Sequence, residues 1–135
     1  MNKFNSIDIL LVEDNPQDAE LIMRTVKKNH IANEIFIVYD GEEALDFLYS
    51  RNQYTDQNNH IPKVIFLDIK LPKVNGLEIL KIVKADENLR HIPVVMLTSS
   101  VEDPDIKKAY EYGANSYVVK PVDFDSFCST INSLD

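Results

Sequence analysis

Five short apolar runs, each followed by a segment carrying helix punctuation, leave this chain few folds to choose from. The runs cover residues 7–12, 35–38, 64–67, 94–97 and 117–119. Several are continuous rather than alternating, the pattern of strands buried on both faces of a parallel sheet. Between the runs, Asn15 sets a capping side chain ahead of Pro16 at a first helical position. Asp18 and Glu20 come next in the opening turn, and Lys27 and Lys28 sit where the helix dipole is negative. Ala19, Ile22, Met23 and Val26 recur at helical spacing. Asp40-Gly41-Glu42-Glu43 has the form of a capping box ahead of Ala44, Leu45 and Leu48. A third helix is predicted over about 77–83, with Leu77, Leu80 and Lys84 on one side. Asp103-Pro104 opens a fourth that Gly113 closes, and Asp123 caps a fifth whose apolar stripe is Phe124, Phe127, Cys128 and Ile131. A strand–helix unit repeated five times, (βα)5, implies an α/β three-layer sandwich with a parallel five-stranded sheet and right-handed crossovers. Of the two common doubly wound orders, five strands favour the flavodoxin-like 2-1-3-4-5. Segment 51–61 is polar and longer than the loops of such folds usually are.

Residues 1–135 have the length of one domain, expected to hold its core between about 7 and 134 and to carry no effector domain. A chain this long builds a core without disulfides or structural metal. The lone cysteine, Cys128, excludes an intrachain disulfide and favours a reducing compartment. No apolar run approaches the roughly 18 residues of a membrane span, and the first residues carry no long apolar segment. A cytoplasmic location is expected. With 22 acidic against 14 basic residues the net charge is −8. Such a surface repels phosphate backbones, which disfavours unaided nucleic-acid binding.

In open α/β sheets, ligands bind beyond the carboxyl ends of the strands, so the residues just after each run carry the chemistry. Glu13 and Asp14 come after the first, Asp68 after the third, Thr98, Ser99 and Ser100 after the fourth, and Lys120 after the fifth. Two carboxylates about 4 Å apart repel by about 4 kcal/mol at an effective dielectric near 20. With three of them, Lys120 alone leaves the cluster net negative. A hard divalent cation resolves the excess, and Mg²⁺ takes one or two carboxylates together with waters and a phosphate. Sulfur and paired-histidine ligands are missing, which disfavours zinc. A single Asp after a strand is more often a helix cap; complementary chemistry at four strand ends on one rim is not explained that way. His30, His60 and His91 are scattered and join no nucleophile or metal spacing. Cys128 reads as core, and Tyr39, Tyr49, Tyr54, Tyr110 and Tyr112 read as partly exposed packing.

In order and spacing, six motifs resemble the receiver domain of two-component response regulators over about residues 7–134. They are Ile9-Leu10-Leu11-Val12-Glu13-Asp14-Asn15, Val64-Ile65-Phe66-Leu67-Asp68-Ile69-Lys70-Leu71-Pro72, Asn75-Gly76-Leu77-Glu78, Pro93-Val94-Val95-Met96-Leu97-Thr98-Ser99, Gly113-Ala114 and Lys120-Pro121. The resemblance implies a Mg²⁺-dependent phosphorylation switch. Asp68 would be the phosphoacceptor, taking its group from a phosphohistidine of a sensor histidine kinase. Asp14, Asp68 and the backbone carbonyl of Lys70 would hold Mg²⁺, with Glu13 acting through a coordinated water. Lys120 would pair with the Asp68 carboxylate and then with a phosphoryl oxygen. The Thr98 hydroxyl would be drawn to that oxygen after transfer, and Tyr117 would turn inward as the threonine vacates its space. These roles agree with the bare chemistry, in which metal and ammonium stabilise charge on the transferring group. The family has a cis bond at the position of Lys120-Pro121 and variation at the position of Lys70 that tunes phosphoryl lifetime; Gly76 by itself suits a tight bend before the third helix. The long polar segment, the Asp46-Phe47-Leu48-Tyr49 ahead of it and the Lys120-Pro121-Val122-Asp123 ending resemble small regulators paired with bacterial phytochrome-type kinases.

On that reading the output goes to a downstream protein or a further phosphotransfer domain. A homodimer through the face of the fourth helix, fifth strand and fifth helix is expected to accompany phosphorylation. Two other functions compete. A small-molecule phosphohydrolase shares a phosphorylated Asp and Mg²⁺, but commonly sets a second Asp two residues after the nucleophile as acid/base, where this chain has Lys70. A phosphate-independent interaction module has no need of every charged rim residue.

Overall fold

A computed structural model describes residues 7–32, 34–57, 61–100 and 103–134; His60 and the 58–60 part of the polar segment lie outside them. The strands are β1 (Ile7–Val12), β2 (Ile35–Val38), β3 (Pro62–Asp68), β4 (Val94–Thr98) and β5 (Ser116–Val119). The helices are α1 (Pro16–Lys28), α2 (Gly41–Leu48), α3 (Gly76–Ala85), α4 (Asp105–Glu111) and α5 (Phe124–Asn132). All strand pairs are parallel and the order is β2-β1-β3-β4-β5, the flavodoxin-like arrangement.

The apolar runs are continuous because each central strand feeds two cores. Leu10, Val12, Ile65, Leu67 and Met96 pack toward Phe47, Ile79, Leu80 and Val83 of α2 and α3. Ile9, Leu11, Phe66, Val95 and Leu97 pack toward Ala19, Ile22 and Val26 of α1 and Phe127 of α5. Phe66 and Phe127 stack with centroids 4.7 Å apart; burying a side chain of that size contributes about 2–3 kcal/mol. The register sets Val12 beside Leu67, Asp68 beside Leu97 and Thr98 beside Val119, so four strand ends emerge along one edge.

The helix starts sit at the capping residues. Asn15 accepts the N–H groups of Gln17 and Asp18, and Asp123 that of Ser126. At α2 only half of the capping box forms. Asp40 accepts the Glu43 N–H at 2.8 Å, whereas the Glu43 carboxylate takes the Tyr39 N–H instead of that of Asp40.

Several expectations are corrected. The buried face of α3 is Ile79, Leu80 and Val83, while Leu77 and Lys84 are only half-buried beside it. Lys84 extends its ammonium to the carbonyls of Arg90 and Ile92 and the side chain of Asn115, and Asn115 in turn accepts the Val94 N–H. Gly113, in the left-handed region at φ 105°, lies against the Lys84 stem. On α5, Phe127 carries the core; Phe124, at the helix start, is 44% exposed and Cys128 is half-buried. Within segment 51–61, Asn52–Gln57 form a 3₁₀ helix. Its Tyr54 is buried edge-on against Phe36 and Phe47, with its hydroxyl donating to Glu43. A polar segment needs only one well-placed aromatic ring to dock.

Candidate functional site

Each rim side chain is aimed by a backbone bond beside it. The Glu13 N–H donates to the Val38 carbonyl, which carries the strand pairing one residue beyond β1. The Glu13 side chain is fully buried, and its Oε2 accepts the Asn15 N–H at 3.0 Å. Asp68 ends β3 at 5% exposure, held by Ile69 N–H to Leu97 O and by Gly76 N–H to Ile69 O. The Lys70 N–H donates to Asp68 Oδ1 at 3.3 Å. Lys120 comes directly after β5; its N–H donates to Thr98 O at 2.7 Å and its bond to Pro121 is cis.

These placements gather the charges. Lys120 Nζ lies 3.1 Å from Glu13 Oε1, 3.2 Å from Asp68 Oδ2 and 3.4 Å from Asp18 Oδ2. Glu13, Asp14 and Asp68 each offer an oxygen within 4.8 Å of the others. They border a cavity of about 230 Å³ together with Thr98, Asp103 and Lys70. One ammonium faces the carboxylates of Glu13, Asp18 and Asp68, with exposed Asp14 beside them, so the rim is short of positive charge. An all-oxygen donor set of this charge fits a hard divalent cation.

Burial pushes the Glu13 carboxyl from 4.5 up to about 7; the Asn15 N–H and Lys120 pull it back, and Asp68 adds to the rise. Burial alone lowers the Lys120 ammonium, but Asp68 and Glu13 outweigh it and hold the group above the usual lysine range. Glu13 makes a contribution of definite sign to the pH dependence of stability. Its folded value exceeds the unfolded one, so its contribution is complete below about pH 4.5 and is lost as pH rises through about 7. Glu13→Gln removes that titration. In chelator, wild type loses about 2–3 kcal/mol relative to the variant between pH 4.5 and 8, since each pKa unit is about 1.4 kcal/mol. Urea unfolding of the pair across that range checks it, and a constant difference contradicts the raised value.

The structure brings Glu13, Asp14, Asp68, Thr98, Lys120 and Lys70 to the cavity as the strand ends imply. Lys70 itself is exposed. Tyr117 stands apart on β5, half-buried, its ring edge-on to Tyr110 at 6.2 Å. Thr98 is 2% exposed, and its hydroxyl is directed to Ser100 O and Asp103 Oδ2, each at 3.2 Å. Two rim acids carry only a helix-start signal in the sequence. Asp18 stands in the first turn of α1, and its link to the rim is the ion pair with Lys120, which helix punctuation alone does not reveal. Nor does it reveal the place of Asp103 at the rim.

Residues 9–132 match the family described as the response regulator receiver domain, and the chain belongs to that family. It is 40% identical over 126 residues to the probable methanogenesis regulatory protein FilR2 of Methanothrix harundinacea, spanning 93% of this chain and 79% of that protein. It is 39% identical over 112 residues to response regulator Rcp1 of Synechocystis sp., spanning 83% of this chain and 75% of Rcp1. Among solved structures, the bacteriophytochrome response regulator AtBRR is similar with a TM-score of 0.87 at 51% identity, covering 95% of this chain and 91% of that one. The Mn²⁺-bound form of Rcp1 is similar with a TM-score of 0.79 at 35% identity, covering 93% and 90%.

Proposed function

We propose that this chain is a single-domain phosphorylation switch that accepts one phosphoryl group on Asp68 from a sensor histidine kinase of the phytochrome type. The observation that carries the reading is the Asp68 carboxylate at a strand end, 3.2 Å from the Lys120 ammonium, with oxygens of Glu13 and Asp14 within 4.8 Å. An Asp68 oxygen attacks phosphorus; the O–P bond forms as the bond to the donor histidine nitrogen breaks, and the imidazole leaves with the electron pair and takes up a proton. Lys120 pairs with Asp68 beforehand and shifts to a phosphoryl oxygen afterwards. Asp14, Asp68 and the Lys70 carbonyl would hold Mg²⁺, and Glu13 a water on it. Bound there, Mg²⁺ supplies positive charge against the phosphoryl oxygens. Thr98 then turns to the new oxygen and Tyr117 moves into the space it leaves.

The output is a change in partner binding, relay of the group to another phosphotransfer domain, or self-association through α4, β5 and α5. Tyr110, 47% exposed on that face, supports the last. A cytoplasmic location fits the role, and no helix among the described residues is long and apolar enough to cross a membrane. The test is incubation with Mg²⁺ and a small acyl-phosphate donor. The expected result is a mass gain of one phosphoryl group per chain, mapped to Asp68, absent in chelator, with oligomeric state monitored by light scattering. A chain that stays unmodified with donor and Mg²⁺ overturns the reading.

A further inference from the structure

We propose that Asp103 is a latch on the switch threonine: its carboxylate holds the Thr98 hydroxyl away from Asp68 and also ties down the first turn of α4. This rests on the reading of Asp68 as phosphoacceptor. The two oxygens of Asp103 are divided between the two tasks. Oδ2 accepts from Thr98 Oγ1 at 3.2 Å, and Oδ1 accepts the Asp105 N–H at 2.9 Å. The backbone around it is braced, with Asp103 N–H on Ser100 O and Ile106 N–H on Asp103 O. Pro104, at the cap position of α4, makes no side-chain cap bond, so the Asp103 carboxylate stands in for it.

A threonine hydroxyl has one proton to donate. Ser100 O lies as close as Asp103 does, but a charged acceptor makes the stronger bond. That proton cannot serve Asp103 and a phosphoryl oxygen on Asp68 together, so the two bonds exclude each other. Asp103 also borders the same cavity as Asp68, where a phosphoryl group of charge near −2 repels it. Phosphorylation thus removes the partner of Asp103 and opposes its charge in one event. The element it anchors yields readily: α4 runs only from Asp105 to Glu111 and buries Ala109 alone. Asp103 is a positioning residue, acting through Thr98.

A plain helix cap would show none of this coupling, and a double-mutant cycle separates the two. Beryllofluoride, a phosphoryl mimic that binds carboxylates, is titrated with Mg²⁺ into wild type, Asp103→Ala, Thr98→Val and the double variant. Releasing Thr98 raises mimic affinity roughly five- to tenfold in the wild-type background. In the Thr98→Val background only the gain from the lost charge remains, about twofold or less. Asp103→Asn keeps the cap through its carbonyl oxygen and gives a smaller gain, about threefold, should the alanine variant fold poorly. Equal gains in both backgrounds overturn the latch while leaving the phosphoacceptor reading intact. Failure of wild type to bind the mimic at all overturns both.

Discussion

Asp68→Asn takes up no phosphoryl group from an acyl-phosphate donor and yet unfolds at a higher temperature than wild type. The first half is a matter of chemistry, because an amide lacks the anionic oxygen that attacks phosphorus. The second comes from the rim. Asp68 shares the Lys120 ammonium with Glu13 and Asp18, and Asp14 stands beside them. Close carboxylates repel by about 4 kcal/mol per pair at an effective dielectric near 20. Removing one relieves such repulsion, while Lys120 keeps Glu13 at 3.1 Å and Asp18 at 3.4 Å. A net gain of about 1–2 kcal/mol raises Tm by about 3–8 °C for a chain of this length. Calorimetry in chelator checks it, and added Mg²⁺ narrows the gap by stabilising wild type. A lower Tm for the variant means that the Lys120–Asp68 attraction outweighs the crowding.

Gly76→Ala damages fold and site together. A Cβ at Gly76 would lie 2.1 Å from Asp68 O, 2.8 Å from Ile69 O and 2.9 Å from Ile69 Cα. All three atoms are backbone, so no flexible side chain can give way. The start of α3 is also fastened to this strand end by Gly76 N–H to Ile69 O at 2.9 Å. Either the helix or the end of β3 must shift, at a cost of about 3 kcal/mol or more. Because the nearest of these atoms is the carbonyl oxygen of Asp68, the proposed phosphoacceptor, the folded fraction is also labelled about 100-fold more slowly. Urea unfolding and single-turnover labelling measure the two effects; wild-type values in both contradict the close approach.

Residue type and strand position are enough to find Asp14, Asp68, Thr98 and Lys120, because a parallel sheet delivers the residues after its apolar runs to one edge. The caps Asn15 and Asp123 are legible for the same local reason. The features that escape depend on contacts between elements. The tie from Thr98 to Asp103 needs the path of the intervening turn, which composition does not give. Gly76 reads as a bend, but its conformation is ordinary; its task is to let α3 approach the backbone at Asp68, which no pattern within the helix records. The face of α3 is misread from sequence because Lys84 has an apolar stem at helical spacing and an ammonium that finds carbonyls beyond the helix end. Tyr54 is hidden by its polar neighbours.

Lys84 has a mechanical consequence. Its ammonium clasps carbonyls just ahead of β4 and the Asn115 side chain just ahead of β5, at the pole remote from Asp68. Gly113, next after Tyr112 at the close of α4, rests on its stem. That pole is a fulcrum, and α4 is a short lever whose free arm is the turn beside Asp103. The two ends of α4 are therefore fastened differently, one resting on a lysine stem and the other hanging on a single carboxylate.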